Sequence, residues 1–217
     1  MIHRDIKGGN ILVTKNKDYN NKSNGALSWI NGYQFHFIDY GLKKRSILKD
    51  KGGIDIILNK NDIPAGTIGY LAWELMSMDK QRIYNHQIDI YSFGVTIISM
   101  ILGRNILYEY INKHKYKNNN SLSFGAPSLG LQSKEKKIIK PNVSYTSSIQ
   151  LFRNCLKDEY NDNKSIIKKE LILSLIKKAP YLSEKFTKFI GEFIEDFPNR
   201  RMSSVAVALK HCVFSNV

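Results

Sequence analysis

The chain has 217 residues, of which 42% are hydrophobic, and 33 Lys and Arg stand against 19 Asp and Glu for a net charge of +14. That size and apolar content suffice for one domain with a buried core. Cys155 and Cys212 form no CxxC pair and no Cys/His cluster, which argues against a disulfide or zinc framework and for a reducing, cytoplasmic setting.

The opening MIHRDIKGGN is charged at once and lacks the apolar stretch of a signal peptide. The longest apolar run, VTIISMIL between Gly94 and Gly103, is too short to span a bilayer and reads as a buried helix. The basic balance could serve an anionic partner such as nucleic acid, phospholipid headgroups or nucleotide phosphate. The cations are spread along the chain with no nucleic-acid motif, however, and abundant Lys, Asn, Ile and Tyr are what an AT-rich coding sequence produces.

In chain order, residues 1–13 begin as a polar loop and run into Ile11-Leu12-Val13, a short strand signal. Residues 14–33 are polar and read as a hairpin excursion, and 34–38 as the returning strand. Residues 42–66 are basic, contain glycine and show little periodicity, so they are expected to be a long loop. From Leu71 onward the pattern becomes helical, with 87–103 the most buried helix. Residues 113–148 carry Lys, Asn and Ser runs and read as a surface insert. Helical patterns resume near 148–159, 165–178, 183–195 and 203–213. Ser183 is placed to cap the third of these, with Phe186, Ile190, Phe193 and Ile194 on one face.

Phosphoryl transfer asks a protein for a carboxylate to orient the attacking hydroxyl, oxygen ligands for Mg²⁺, and positive charge near the transferred group. His3-Arg4-Asp5-Ile6-Lys7-Gly8-Gly9-Asn10 holds one of each, and Asp39-Tyr40-Gly41 follows the second strand. Further on stand Gly66-Thr67-Ile68-Gly69-Tyr70-Leu71-Ala72-Trp73-Glu74, Asp89-Ile90-Tyr91-Ser92-Phe93-Gly94 and Pro198-Asn199-Arg200-Arg201-Met202-Ser203. Taken singly these are weak. In this order they resemble HRDxKxxN, DFG, GTxxYxAPE, DxWSxG and PxxRxS of the eukaryotic-type protein kinases, from residue 3 to about residue 214.

The resemblance implies a set of roles. Asp5 accepts or orients the substrate hydroxyl proton, and Lys7 neutralises charge on the γ-phosphate of ATP. Asn10 and Asp39 ligate Mg²⁺, for which hard oxygen donors are suited. Arg4 pairs with a phosphate or acidic group on the activation loop. Thr67 contacts Asp5 and Lys7, Asp89 caps the catalytic-loop backbone, and Glu74 makes a buried ion pair with Arg201, or failing that with Arg200. Lys7 is similar to the serine/threonine branch, so the implied reaction is transfer of the ATP γ-phosphate to a protein Ser or Thr. Tyr40 and Trp73 depart from the family's Phe and Pro.

Plainer readings exist for each residue. Asp5, Asn10 and Asp39 could be loop or turn residues, and Asp89, Glu74 and Arg201 speak for fold under either view. Lys43, Lys44 and Arg45 read as a solvated basic stretch. Ser46 is the one Ser or Thr between Leu42 and Gly66 and reads as a surface serine or a phosphorylation site. His36 reads as a strand-face residue and His211 as a packing residue.

The expected fold is α+β and protein-kinase-like: a mainly helical C-terminal lobe, with a β-hairpin at the catalytic cleft and the N-terminal lobe absent. Its parts are the catalytic loop and metal-binding hairpin (1–41), the activation segment (42–74) and a helical subdomain (75–217). No Gly-rich loop or strand lysine precedes His3. Val95, Ile98 and Leu102 are therefore expected to show apolar surface. Three functions are compatible with this: an active Ser/Thr kinase that is part of a larger chain or is split, with a separate N-lobe or regulatory protein, a catalytically inactive remnant, or a binding module for kinase substrates or regulators.

Overall fold

The computed structural model describes residues 2–16, 32–42, 56–59, 64–76, 81–105, 109 and 166–210. The insert 113–148, the helix expected at 148–159, most of the excursion 14–33, and Lys43, Lys44, Arg45, Ser46, Cys155, His211 and Cys212 lie outside the described residues.

The hairpin forms where the β-branched and aromatic residues cluster. Strand β1 (Ile11–Lys15) pairs antiparallel with β2 (Tyr33–Phe37), in register from Ile11↔Phe37 to Lys15↔Tyr33. Two further bonds, Ile38 N to Asn10 O at 2.9 Å and Asn16 N to Gly32 O at 2.8 Å, carry the pairing past the strand ends. Leu12, Val13, Phe35 and Phe37 are all exposed, so both faces of this hairpin present apolar side chains.

The stretch 42–66 is not the uninterrupted loop expected. It contains β3 (Ile56–Asn59), which pairs antiparallel with β4 (Gln81–Tyr84), in register from Ile56↔Tyr84 to Asn59↔Gln81. Strand β4 also interrupts the region expected to be helical from Leu71 onward. Each strand is four residues long, too short to show a period of two, and the pairing is non-local, which composition does not reveal.

The described helices are α1 (Trp73–Met76), α2 (Gln87–Leu102), α3 (Ile166–Lys178), α4 (Glu184–Phe193) and α5 (Val205–Leu209). Helix α2 is the centre of the core. It ends at Gly103, whose φ of 66° is left-handed and whose N–H, with that of Arg104, returns to Met100 O and Ser99 O. The Ser183 hydroxyl caps α4 by accepting from Phe186 N at 3.2 Å, and Phe189, Ile190 and Phe193 turn inward. Helices α2 and α4 approach so closely at Gly94 that a Cβ there would lie 2.6 Å from Phe193 Cβ and 2.8 Å from Ile194 Cγ2. Leu171 and Leu175 of α3 complete this layer.

Val95 and Ile98 do not show the apolar surface expected of them, because both are 0% exposed; Leu102 is half-buried. Helices α3 and α4 both pack on α2, and Ile2 and Ile6, before and within the His3–Asn10 loop, are themselves buried. The polar groups of α2 are tied in as well. The Ser92 hydroxyl donates to Tyr70 O (2.8 Å) or Ile88 O (2.9 Å), and that of Thr96 to Ser92 O (2.7 Å) or Ile6 O (3.4 Å). The helix is thus tied to the loop that carries Asp5, through Ile6, and to Tyr70 ahead of α1.

Candidate active site

The loop from His3 to Asn10 has no regular secondary structure before the single 3-10 turn Gly8–Asn10, so its backbone must be held by side chains. Asp89, in the first turn of α2, does this. Its Oδ2 accepts from His3 N at 2.7 Å and its Oδ1 from Arg4 N at 2.9 Å. Burial pushes the Asp89 carboxyl above the ordinary carboxylate value, and the two backbone N–H groups offset only part of that.

His3 joins the loop to the hairpin. Its Nδ1 accepts from Asp5 N at 3.3 Å, which leaves Nε2–H to donate to Ile38 O at 3.1 Å. The ring also lies 4.9 Å from that of Tyr40 and 5.9 Å from that of Phe37. Arg4 has φ of 70° and Asp39 φ of 60°, both left-handed without being glycine.

Four of the residues singled out from the sequence meet at one point. Asp5 Oδ1 accepts from the Thr67 hydroxyl at 2.6 Å. Its Oδ2 accepts from Asn10 Nδ2 at 2.9 Å and pairs with Lys7 Nζ at 3.1 Å. Lys7 Nζ also donates to Thr67 Oγ1 at 2.7 Å, and Asn10 Nδ2 to Asp5 O at 2.8 Å. Burial alone would raise the Asp5 carboxyl. The Thr67 and Lys7 hydrogen bonds, the Lys7 charge and the Asn10 amide together outweigh it and hold the group below its usual range. Asp5 is therefore an ionised carboxylate at neutral pH, 7% exposed, with a cation beside it.

The donor set suits a hard cation at one place. Asn10 commits its amide nitrogen to Asp5 twice, so its side-chain oxygen is the end left for a metal. Asp39 follows directly on the Ile38–Asn10 backbone bond; its carboxylate is exposed and accepts only weakly from Gly41 N, at 3.4 Å.

Arg4 faces the start of residues 42–74 and the end of β4. Among the described residues its guanidinium acceptors are neutral: Nε donates to Leu42 O at 2.5 Å and Nη1 to the Tyr84 hydroxyl at 3.4 Å. Neither Leu42 nor Tyr84 belongs to a motif, so nothing in the sequence pointed to them. Gly66 is the other contributor that went without a role. Its φ is +128°, and a Cβ on it would lie 2.6 Å from Arg4 O.

Glu74 and Arg201 form the ion pair expected, through Nη1–Oε1 at 2.6 Å and Nη2–Oε2 at 2.8 Å. Arg200 is exposed and stacks on Phe197, its guanidinium carbon 4.9 Å from the ring. Despite the Trp73 substitution, the chain turns into α1 with Glu74 in its first turn. His36 lies on β2 with Nε2 3.3 Å from Thr14 Oγ1.

A family model described as "Protein kinase domain" matches residues 1–214. Among curated proteins, a cysteine-rich receptor-like protein kinase of Arabidopsis thaliana is 34% identical over 125 residues, which is 56% of this chain and 15% of that protein. A serine/threonine-protein kinase-like protein of the same plant is 32% identical over 104 residues, 48% of this chain and 22% of that protein. A receptor protein-tyrosine kinase of the plant is 33% identical over 104 residues, 48% of this chain and 8% of that protein. The chain spans under a quarter of the length of each of these relatives.

Proposed function

The chain belongs to the protein kinase domain family, and from that premise we propose that it is a serine/threonine kinase module that transfers the ATP γ-phosphate to a protein hydroxyl. The observation that carries this reading is the Asp5–Lys7–Asn10–Thr67 cluster. A buried carboxylate, a half-buried ammonium and an amide oxygen open to a cation are the groups such a transfer needs.

In this reading Asp5 orients the incoming hydroxyl. Its depressed pKa makes it a weak base, so it takes the proton late, after the bond to the leaving group has loosened. The bond from Thr67 fixes one carboxylate oxygen and leaves the other to Lys7 and Asn10. Lys7 places positive charge beside the reacting group. Asn10 and Asp39 would hold Mg²⁺, which supplies charge neutralisation on the phosphates of ATP. Asp89, Glu74 and Arg201 hold this machinery and do not touch the reactants. The division into catalytic hairpin (1–41), activation segment (42–74) and helical subdomain (75–217) belongs to the same proposal. So does a cytoplasmic setting; among the described residues no helix is long and apolar enough to cross a membrane.

The exposed apolar faces of the β1–β2 hairpin favour a second reading alongside the first. Leu12, Val13, Phe35, Phe37 and Ile38 form a surface fit for packing against another domain. A complementary N-lobe on the same or another polypeptide is the partner proposed, and a catalytically inactive binding module is the alternative.

The test is Mg²⁺-dependent phosphotransfer from labelled ATP to a Ser/Thr peptide mixture, with the wild type beside Asp5→Asn. A fall of roughly 10²- to 10⁴-fold in the variant is expected. Equal transfer by both proteins would refute the assignment. A partner captured equally by both without ATP, and no transfer by either, would favour the binding module.

A further inference from the structure

The turn that carries Thr67 is fastened to α2 and to the chain just beyond it. Tyr70 N donates to Thr67 O at 3.0 Å and closes the turn. The Ser92 hydroxyl, within α2, is 2.8 Å from Tyr70 O. The second fastening comes from past the helix end. Gly103, with φ of 66°, turns the chain there, and Arg104 N returns to Ser99 O at 3.0 Å, which sets Asn105 against the turn. Asn105 Nδ2 donates to Gly69 O at 3.4 Å. A carbonyl oxygen only accepts, so the nitrogen end of the amide is the one that faces it. The Asn105 backbone is held in turn, its O accepting from Glu109 N at 3.1 Å. The approach is close. Gly69 has φ of +91°, and a Cβ on it would lie 3.1 Å from both Nδ2 and Oδ1 of Asn105.

We propose that Asn105 is a positioning residue whose amide holds the Thr67–Tyr70 turn, so that the Thr67 hydroxyl meets Asp5 and Lys7. The inference rests on the kinase reading for its purpose, though not for its test. Thr67 lies outside any helix or strand, so its place depends on such local bonds. Its Oγ1 is 2.6 Å from Asp5 Oδ1 and 2.7 Å from Lys7 Nζ, distances at which a small shift of the turn weakens both contacts. Asp89, in the first turn of α2, fixes the loop that bears Asp5. Ser92 and Asn105 fix the turn that bears Thr67 from farther along the same stretch of chain. Helix α2 is thus the common reference for both partners of the Asp5–Thr67 bond. One amide bond at 3.4 Å is weak, so its loss should loosen the turn and leave the core folded.

Residue-resolved amide exchange by NMR, on the full chain without nucleotide, tests this with Asn105→Ala and Asn105→Asp. The aspartate keeps the shape of asparagine and, at pH 7, offers no donor. Both variants should speed exchange of the Tyr70 amide by roughly three- to tenfold. The amides of His3 and Arg4, bound to Asp89, and of Val95 and Ile98 in α2 should keep their wild-type rates. Phosphotransfer by the same proteins should show kcat reduced by roughly that factor, with KM for ATP unchanged. The proposal fails if Asn105→Asp exchanges like the wild type, since the amide would then only fill space. It also fails if neither variant moves Tyr70, or if His3, Arg4 and α2 accelerate equally, which is general destabilisation. A wild type that transfers no phosphate would sink the kinase reading, and the Tyr70 amide would still decide whether Asn105 holds the turn.

Discussion

Truncating Arg201 should destabilise the chain more than truncating Glu74, although the two form one ion pair. The Arg201 side chain is fully buried, and all its donor positions are used. Nε donates to Glu195 O at 2.6 Å. Nη1 and Nη2 donate to Glu74, to Gln87 O at 3.1 Å and to Asp196 O at 3.1 Å. The guanidinium carbon also sits 4.9 Å over the Tyr91 ring. Arg201→Ala strands a carboxylate, robs three carbonyls and opens a cavity, so about 5 kcal/mol is expected, the upper end for breaking a buried pair from one side. The Glu74 side chain is 12% exposed, so water can reach what its removal leaves behind. Glu74→Ala is therefore expected to cost about 3 kcal/mol, the lower end. For a domain of this size that corresponds to melting-temperature losses of about 10–20 °C for Arg201→Ala and about 6–12 °C for Glu74→Ala. Urea unfolding of the two single variants and the double variant, at pH 7, closes a cycle. The double variant should lose clearly less than the sum of the singles, because one stranded charge is absent. Unchanged midpoints, or strict additivity, would refute the reasoning.

Gly94→Ala forces a methyl into the α2–α4 contact, where the obstructing atoms are the Cβ of Phe193 and the Cγ2 of Ile194. A loss of about 1–3 kcal/mol is expected in thermal unfolding. The acid limb of the stability curve carries a signature of Asp5. Its folded pKa lies below the ordinary 3.8, so its contribution is complete above that value and disappears as pH falls through the depressed one. Thr67→Val removes the largest bond lowering it, so acid unfolding should begin at higher pH than in the wild type. Asp89 works in the opposite sense. Its folded pKa is raised, so the native state holds the extra proton and stability declines as pH rises through the window above 3.8. Comparing the two Thr67 proteins at fixed Asp89 cancels that slope.

The meeting of Asp5, Lys7, Asn10 and Thr67 was legible because these residues are local or stand in ordered motifs. His3 to Asn10 form one loop, and Asp89 and Thr67 were assigned partners that the fold provides. The Glu74–Arg201 pair spans most of the chain and was still readable, since each partner sits in its own motif. The β3–β4 pair was not. Four-residue strands give no usable period, and their pairing depends on how residues 64–76 fold between them. Tyr84 and Leu42 were invisible for a related reason. A backbone carbonyl has no sequence signature, and a tyrosine beside a helix start reads as packing. The exposure expected for Val95 and Ile98 was misplaced because sequence does not say which face of a continuously apolar helix meets its neighbours. The open apolar surface lies on the hairpin instead.

If the chain works as the kinase proposed above, the left-handed backbones of Arg4 and Asp39 set stability and activity against each other at two adjoining points of the site. Each non-glycine residue there stores about 1–2 kcal/mol of steric strain that glycine would release. Selection on heat resistance alone would thus favour erasing the carboxylate at 39 and the guanidinium at 4. Their retention in a chain with ample glycine elsewhere is bought against that gradient. In a laboratory lineage evolved only for robustness, these two positions would mark the boundary between a sturdier fold and a working one.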